Sequence, residues 1–295
     1  MISPCYRGRF APSPTGPLHF GSLVTALASY LEARVHDGQW LVRIEDLDPL
    51  REPPDATDRI LASLDAHGLH SDEPVRFQSQ RHEAYRAVIG TLLTNRRAYT
   101  CACSRKALAE HGGRHPAHCR DLAAGSSVHR RDHHPHAIRF RLNDDRCRWT
   151  DQLLGPQEQM VRAELDDPVL QRKEGFFAYQ LAVVVDDIDQ AITDVVRGSD
   201  LLEMTAQQLQ IYQALGGQPP RWLHIPIILN EQGQKLSKQT HAPALNDRRA
   251  AANLVDALAA LGQRPPETLR SAPVEQVLAW GEAHWQRGAI ELTGR

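Results

Sequence analysis

RFAPSPTGPLHFGS, residues 9–22, is the stretch whose reading decides the fold. Residues 6–10 leading into it form a short strand. Pro12, Pro14, Gly16 and Pro17 then forbid regular structure and fix a tight, extended loop. From His19 the pattern changes: Leu23, Leu27, Tyr30 and Leu31 recur at helical spacing, which predicts a helix over 22–34. A strand, a loop and a helix N-terminus in that order make a phosphate site, because free N–H groups and the helix dipole point at whatever sits there. His19 and Ser22 add side-chain donors, and Gly21 lets a flat ring approach the backbone. HFGS alone does not establish nucleotide binding, since Pro/Gly loops before helices are common.

A second element far along the chain supplies what HFGS lacks. Residues 222–230 form an apolar run whose strand-like part, IPIILN at 225–230, meets the turn residues Glu231, Gln232 and Gly233, and KLSKQ follows at 235–239. Two lysines on a mobile loop can neutralise a triphosphate as pyrophosphate leaves. A lone charged run is ordinarily a solvated face. Here, however, the chain has only four lysines among its 34 basic residues, and Lys235 and Lys238 are two of them. That placement points to lysine itself, a flexible point charge unlike the fixed guanidinium fork.

HFGS and KLSKQ, in this order and at this separation, resemble the two ATP motifs of class I aminoacyl-tRNA synthetases. RFAPSPTGPLHFGS, followed by LVRIEDLD at 41–48, is similar to the glutamyl subgroup in particular. The likeness continues through GFFAYQLAVVVDD at 175–187 and DVVRGSDL at 194–201, so it spans residues 6–244. Two positions depart from the pattern. Ser22 stands where the first motif usually has a second histidine, and Gln239 replaces the terminal serine of the second. A hydroxyl at Ser22 can still donate one hydrogen bond. The resemblance implies an α/β fold with a Rossmann-like parallel sheet, His19, Gly21, Lys235 and Lys238 as catalytic residues, and His19, Gly21, Ser22 and Lys238 on ATP with its Mg²⁺.

The chain's 295 residues could hold one large or two medium domains. A hydrophobic share of 41% and a charged share of 24% are those of an ordinary globular protein. A net charge of −2 gives no global attraction to nucleic acid, so any RNA contact needs a local basic patch. The first ten residues contain no signal-like apolar core and no run approaches a membrane span. The expectation is a cytoplasmic, monomeric protein without a membrane partner.

Residues 40–45 read as the second strand, ending in Glu45, Asp46 and Asp48. Ligands of open parallel sheets bind at the carboxyl ends of strands. Arg9 and Glu45 would then face one crevice, either as a structural pair or to hold a free amino acid, Glu45 on its ammonium group and Arg9 on a carboxylate. Residues 58–67 and 80–95 have helical periodicity. Residues 193–196 form another short strand, and a helix follows over 201–215, with Arg197 between them. Resemblance assigns Arg9, Phe10, Ala11, Pro12, Ser13, Glu45, Tyr179 and Arg197 to glutamate. A guanidinium favours a carboxylate over an uncharged amide.

Cys101, Cys103, His115 and Cys119 have gaps of one, eleven and three residues, a spacing that suits tetrahedral zinc. Unligated cytosolic thiols are the alternative, and His111 and His118 are substitute ligands. The set resembles the zinc insertion of a small branch of the glutamyl group, which implies one structural zinc. His129, His133, His134 and His136 read as a solvated loop. Residues 137–142 alternate apolar residues with Arg139 and Arg141. They read as a half-exposed strand which, with Arg130 and Arg131, offers a basic surface to RNA or only to water.

After Gln239 only 56 residues remain, with helical patterns over 246–261 and 273–285. The expected organisation is a first catalytic half at 1–98, a zinc insertion at 99–136, the remaining catalytic region at 137–244 and a short helical region at 245–295. Glutamyl-tRNA synthetases proper carry a large anticodon-binding region at this point. Its absence and the zinc insertion make the chain similar to the glutamyl-Q tRNA(Asp) synthetase family. That resemblance implies tRNA-independent glutamate activation and transfer to queuosine in the anticodon of tRNA(Asp). A shortened synthetase charging a 3′ adenosine and a non-catalytic RNA-binding paralogue remain open.

Overall fold

The computed structural model describes residues 5–103, 106, 109, 120, 136–161, 165–229 and 243–291. β1 (Arg7–Phe10) leads through the proline loop into α1 (Phe20–Val35), and β2 (Gln39–Ile44) returns parallel to β1 with Leu41 opposite Arg9. Leu23, Leu27 and Leu31 of α1 are buried, as the periodicity required. From Trp40 to Ile44 every residue of β2 is buried, as a parallel strand covered on both faces demands. After α2 (Ala56–Ala66), β3 (Arg76–Phe77) joins the far edge of β2, and α3 (His82–Thr94) follows.

β4 (Ala98–Cys101) and β5 (Ala137–Phe140) pair antiparallel, with Cys101 opposite Ala137. The hairpin of β6 (Arg146–Asp151) and β7 (Gly155–Met160) comes next, then β8 (Val169–Gln171), which pairs with β5. α4 (Tyr179–Asp189), β9 (Asp194–Gly198), α5 (Thr205–Leu215) and β10 (Arg221–Ile225) follow. β9 and β10 are parallel, with Arg197 opposite His224. The Thr193 amide donates to Arg7 O at 2.9 Å and the Arg7 amide to Thr193 Oγ1 at 2.8 Å. This pair of bonds sets β9 against β1, so that both strands deliver their carboxyl ends to one place.

α6 (Ala250–Ala260) and α7 (Val274–His284) bury Leu254, Leu258 and Val277 in the core that contains α1 and β2. A second core gathers Tyr85, Phe140, Leu181 to Val185 and Trp222 on the other side. Among the described residues, no helix is long and apolar enough to cross a membrane.

Three expectations need correction. The strand expected over 225–230 lies instead over Arg221–Ile225, because Pro226 has no N–H for the ladder. The helix expected from Leu201 begins as a 3₁₀ turn, Ser199–Met204, and becomes α-helical at Thr205. The strand over 137–142 stops at Phe140, and its arginines do not form an open basic face. Arg139 donates to Asp167 O at 2.6 Å, the Arg141 guanidinium binds Arg120 O, and both side chains are half-buried.

Candidate active site

The carboxyl ends of β1, β2 and β9 open into a crevice of about 470 Å³. Its lining includes Arg9, Phe10, Ala11, Pro12, Ser13, His19, Gly21, Ser22, Glu45, Tyr179 and Arg197. All eight residues expected to contact glutamate therefore share one cavity with three of the four expected at the nucleotide. Thr15, Thr25, Gly198, Asp200 and the 226–228 segment also line it, although the sequence assigned none of them a site role.

His19 is the N-cap of α1, with extended backbone (φ −116°, ψ 170°). Its Nδ1 accepts the Ser22 N–H at 3.2 Å, and its Nε2 lies 3.0 Å from Ser22 Oγ. An accepting Nδ1 places the proton of the neutral ring on Nε2, which then donates to Ser22 Oγ. The hydroxyl hydrogen of Ser22 is left to be given to a ligand. This arrangement orients the α1 N-terminus, with Gly21 in its first turn, toward the crevice.

The acidic and basic side chains of the crevice are compensated unequally. Arg9 is buried and grips Asp187 through Nε at 3.0 Å and Nη2 at 3.3 Å. Asp187 also accepts from Arg43 at 2.5 Å and Tyr212 at 3.2 Å. Burial raises the Asp187 pKa, but the charges and hydrogen bonds of Arg9 and Arg43 outweigh it and hold the carboxyl below its ordinary value. Arg9 thus pairs with Asp187 on α4 and not with Glu45, the partner a structural pair would have required.

Glu45 is buried, and its Oε1 has no hydrogen-bond partner among the described residues. Burial pushes its carboxyl up to about 7, against the opposing pull of Arg43 and Arg9. Arg197 is equally buried. It donates to His224 Nε2 (2.9 Å), Gln208 Oε1 (2.7 Å), Thr205 Oγ1 (2.9 Å) and Leu201 O (3.3 Å). Each acceptor is neutral, and Tyr179 beside it is kept protonated by burial, which raises its pKa. Burial lowers the Arg197 pKa accordingly. One wall therefore offers a carboxylate oxygen without a partner, and another a guanidinium without a directly bound carboxylate. Uncompensated buried charges cost several kcal/mol each, so this pattern fits a ligand bearing both an ammonium and a carboxylate.

Lys235, Lys238 and the rest of KLSKQ lie outside the described residues. Their flanks do not. Ile228 lines the crevice, while Ala244 bridges to His19 and the Leu245 amide donates to Leu18 O at 3.0 Å. Both ends of that segment are therefore anchored beside the first motif. Of the zinc set, Cys101 ends β4 and is buried, and Cys103 is half-buried two residues on. His115 and Cys119 lie outside the described residues, and no metal-ligating group of three forms among the described ones.

The profile of the tRNA synthetases class I (E and Q) catalytic domain matches residues 6–256. The chain belongs to this family of class I aminoacyl-tRNA synthetases. The glutamyl-Q tRNA(Asp) synthetase of Pseudomonas aeruginosa (strain LESB58) is 50% identical over 97% of this chain and 95% of its own. The enzyme of the same name from Vibrio vulnificus (strain YJ016) is 43% identical over 100% and 96%. A crystal structure of glutamate-tRNA synthetase from Elizabethkingia anophelis superposes with a TM-score of 0.78 at 25% identity, covering 98% of this chain and 67% of that one. The synthetase fold accounts for the parallel strands and for a crevice at their carboxyl ends.

Proposed function

We propose that this synthetase joins glutamate to ATP as glutamyl-adenylate and transfers the glutamyl group to queuosine in the anticodon of tRNA(Asp). The carrying observation is the crevice's pairing of an unpartnered Glu45 oxygen with an Arg197 that has only neutral partners. Glu45 takes the ammonium of glutamate. Arg9, Arg197 and Tyr179 take its carboxylates, with residues 10–13 as the backbone wall. An amide in place of the γ-carboxylate leaves a guanidinium uncompensated, which disfavours glutamine.

ATP lies over His19, Gly21 and Ser22. A glutamate α-carboxylate oxygen attacks the α-phosphorus. That O–P bond forms as the bond to the bridging oxygen breaks, and pyrophosphate leaves. Lys238, with Lys235, stabilises the charge on the leaving group. Mg²⁺ carried on the nucleotide supplies charge neutralisation. A ring hydroxyl of queuosine then attacks the acyl carbon, loses its proton and releases AMP. The protein needs no covalent nucleophile, because the adenylate is already activated.

Relatives matched along 95–96% of their own length carry the glutamyl-Q name, whereas the glutamate-tRNA synthetase structure is matched along 67%. That difference favours queuosine over a tRNA 3′ end. A structural zinc on Cys101, Cys103, His115 and Cys119 belongs to the same proposal. The strands that end at Cys101 and begin at Ala137 would bracket its segment. Transfer of radiolabelled glutamate to tRNA(Asp) with and without queuosine tests the reading. Labelling confined to the queuosine-bearing RNA is expected, and labelling of tRNA(Glu) instead would support a shortened ordinary synthetase.

A further inference from the structure

Arg9 and Arg197 face the same crevice but are held by opposite chemistry. Arg9 rests on a carboxylate, Asp187, that offsets part of its charge and is shared with Arg43. Arg197 rests on an imidazole. β10 runs parallel to β9 and sets His224 in register with Arg197. The Arg197 Nε–H donates to His224 Nε2 at 2.9 Å, which fixes the ring proton on Nδ1. Nδ1 lies 2.6 Å from Asp151 Oδ2 and donates to it.

Asp151, at the end of β6, is itself tied down. Its Oδ1 accepts the amides of Leu153 (3.0 Å) and Leu154 (2.9 Å), and its Oδ2 also accepts the His224 amide at 3.1 Å. Burial raises its pKa, but His224 and these amides outweigh that and keep the carboxyl below its ordinary value. Neither side chain is exposed, and neither lines the crevice.

We propose that His224, oriented by Asp151, is the positioning residue that aims Arg197 at the substrate's carboxylate while leaving its charge uncancelled. The assignment rests on reading the crevice as the glutamate site. A carboxylate in place of His224 would hold the guanidinium equally well but would offset its charge, as Asp187, shared with Arg43, partly does for Arg9. A protonated imidazole would set N–H against N–H. Burial and the Arg197 charge keep the ring neutral, lowering its pKa although Asp151 and Asp200 pull the other way.

Kinetics of glutamate-dependent ATP–pyrophosphate exchange in His224→Leu, His224→Gln and Asp151→Asn test the assignment. His224→Leu removes the acceptor and raises the KM for glutamate about ten-fold, with the KM for ATP nearly unchanged. His224→Gln keeps a carbonyl acceptor and restores most of the affinity. Asp151→Asn frees the tautomer and raises the glutamate KM selectively. Should His224→Leu not fold, His224→Gln and Asp151→Asn decide. A glutamate KM unchanged in Asp151→Asn, or KM values for glutamate and ATP that rise together, overturns the assignment. A wild-type protein with no glutamate-dependent exchange overturns the glutamate reading as well. A wild type that exchanges, beside folded variants that match it, overturns only the role of His224.

Discussion

His19 and Ser22 are hydrogen-bonded twice across the first turn of α1, Nδ1 to the Ser22 amide at 3.2 Å and Nε2 to Ser22 Oγ at 3.0 Å. The serine that replaces the usual second histidine of the motif is thus held by the first. Ser22→Ala removes one hydroxyl donor from the ATP side and is expected to raise the KM for ATP about five-fold, the worth of one hydrogen bond. His19→Ala should cost more. It loses the cap, about 1 kcal/mol of stability, along with the imidazole that holds Ser22 toward the nucleotide. Steady-state kinetics and thermal unfolding of both variants check this ordering, and a Ser22→Ala enzyme with unchanged KM for ATP would contradict it.

Glu45 gives a pH prediction of definite sign. Its folded pKa of about 7 stands above the ordinary 4.5, so the folded protein holds a proton that the unfolded chain releases. Ligand-free stability therefore falls as pH rises from 4.5 to 7 and levels off above, a loss of about 3 kcal/mol. Glu45→Gln should raise the melting temperature at pH 8, have little effect near pH 4.5, and weaken glutamate binding throughout. In the wild type, glutamate binding should weaken below pH 7 as the carboxylate protonates. Melting curves at the two pH values and glutamate titrations across the range provide the measurement. Equal melting temperatures at pH 8 would contradict the buried, unpartnered carboxylate.

Lys238→Ala should lower adenylate formation about 100-fold or more while glutamate binding persists, because its charge is needed mainly as pyrophosphate departs. Equal losses in glutamate affinity and turnover would contradict that role.

Metal analysis should find one zinc per chain, lost in Cys101→Ala and Cys119→Ala with a fall in melting temperature, since a structural zinc contributes directly to folding. A metal-free protein whose stability a chelator leaves unchanged would contradict the zinc assignment.

Much of the site was legible in the sequence because its residues sit where strands end. Arg9, Glu45 and Arg197 close β1, β2 and β9, and the parallel sheet carries all three to one crevice. The supports behind them were not legible. Asp187 lies 178 positions from Arg9, and Asp151 lies 73 from His224. No local period records such pairings. Arg139 and Arg141 misled for a related reason: alternation reports which face a residue occupies, not whether a distant acceptor such as Asp167 O turns the guanidinium inward.

The central claim is that this crevice, formed by its own sheet and loops, binds and activates glutamate. ATP–pyrophosphate exchange in nuclease-treated, RNA-free protein tests it most directly. Exchange that depends on L-glutamate, does not occur with L-glutamine and needs no tRNA is the predicted result. Exchange that appears only after tRNA(Glu) is added, or that proceeds equally with glutamine, would contradict the account.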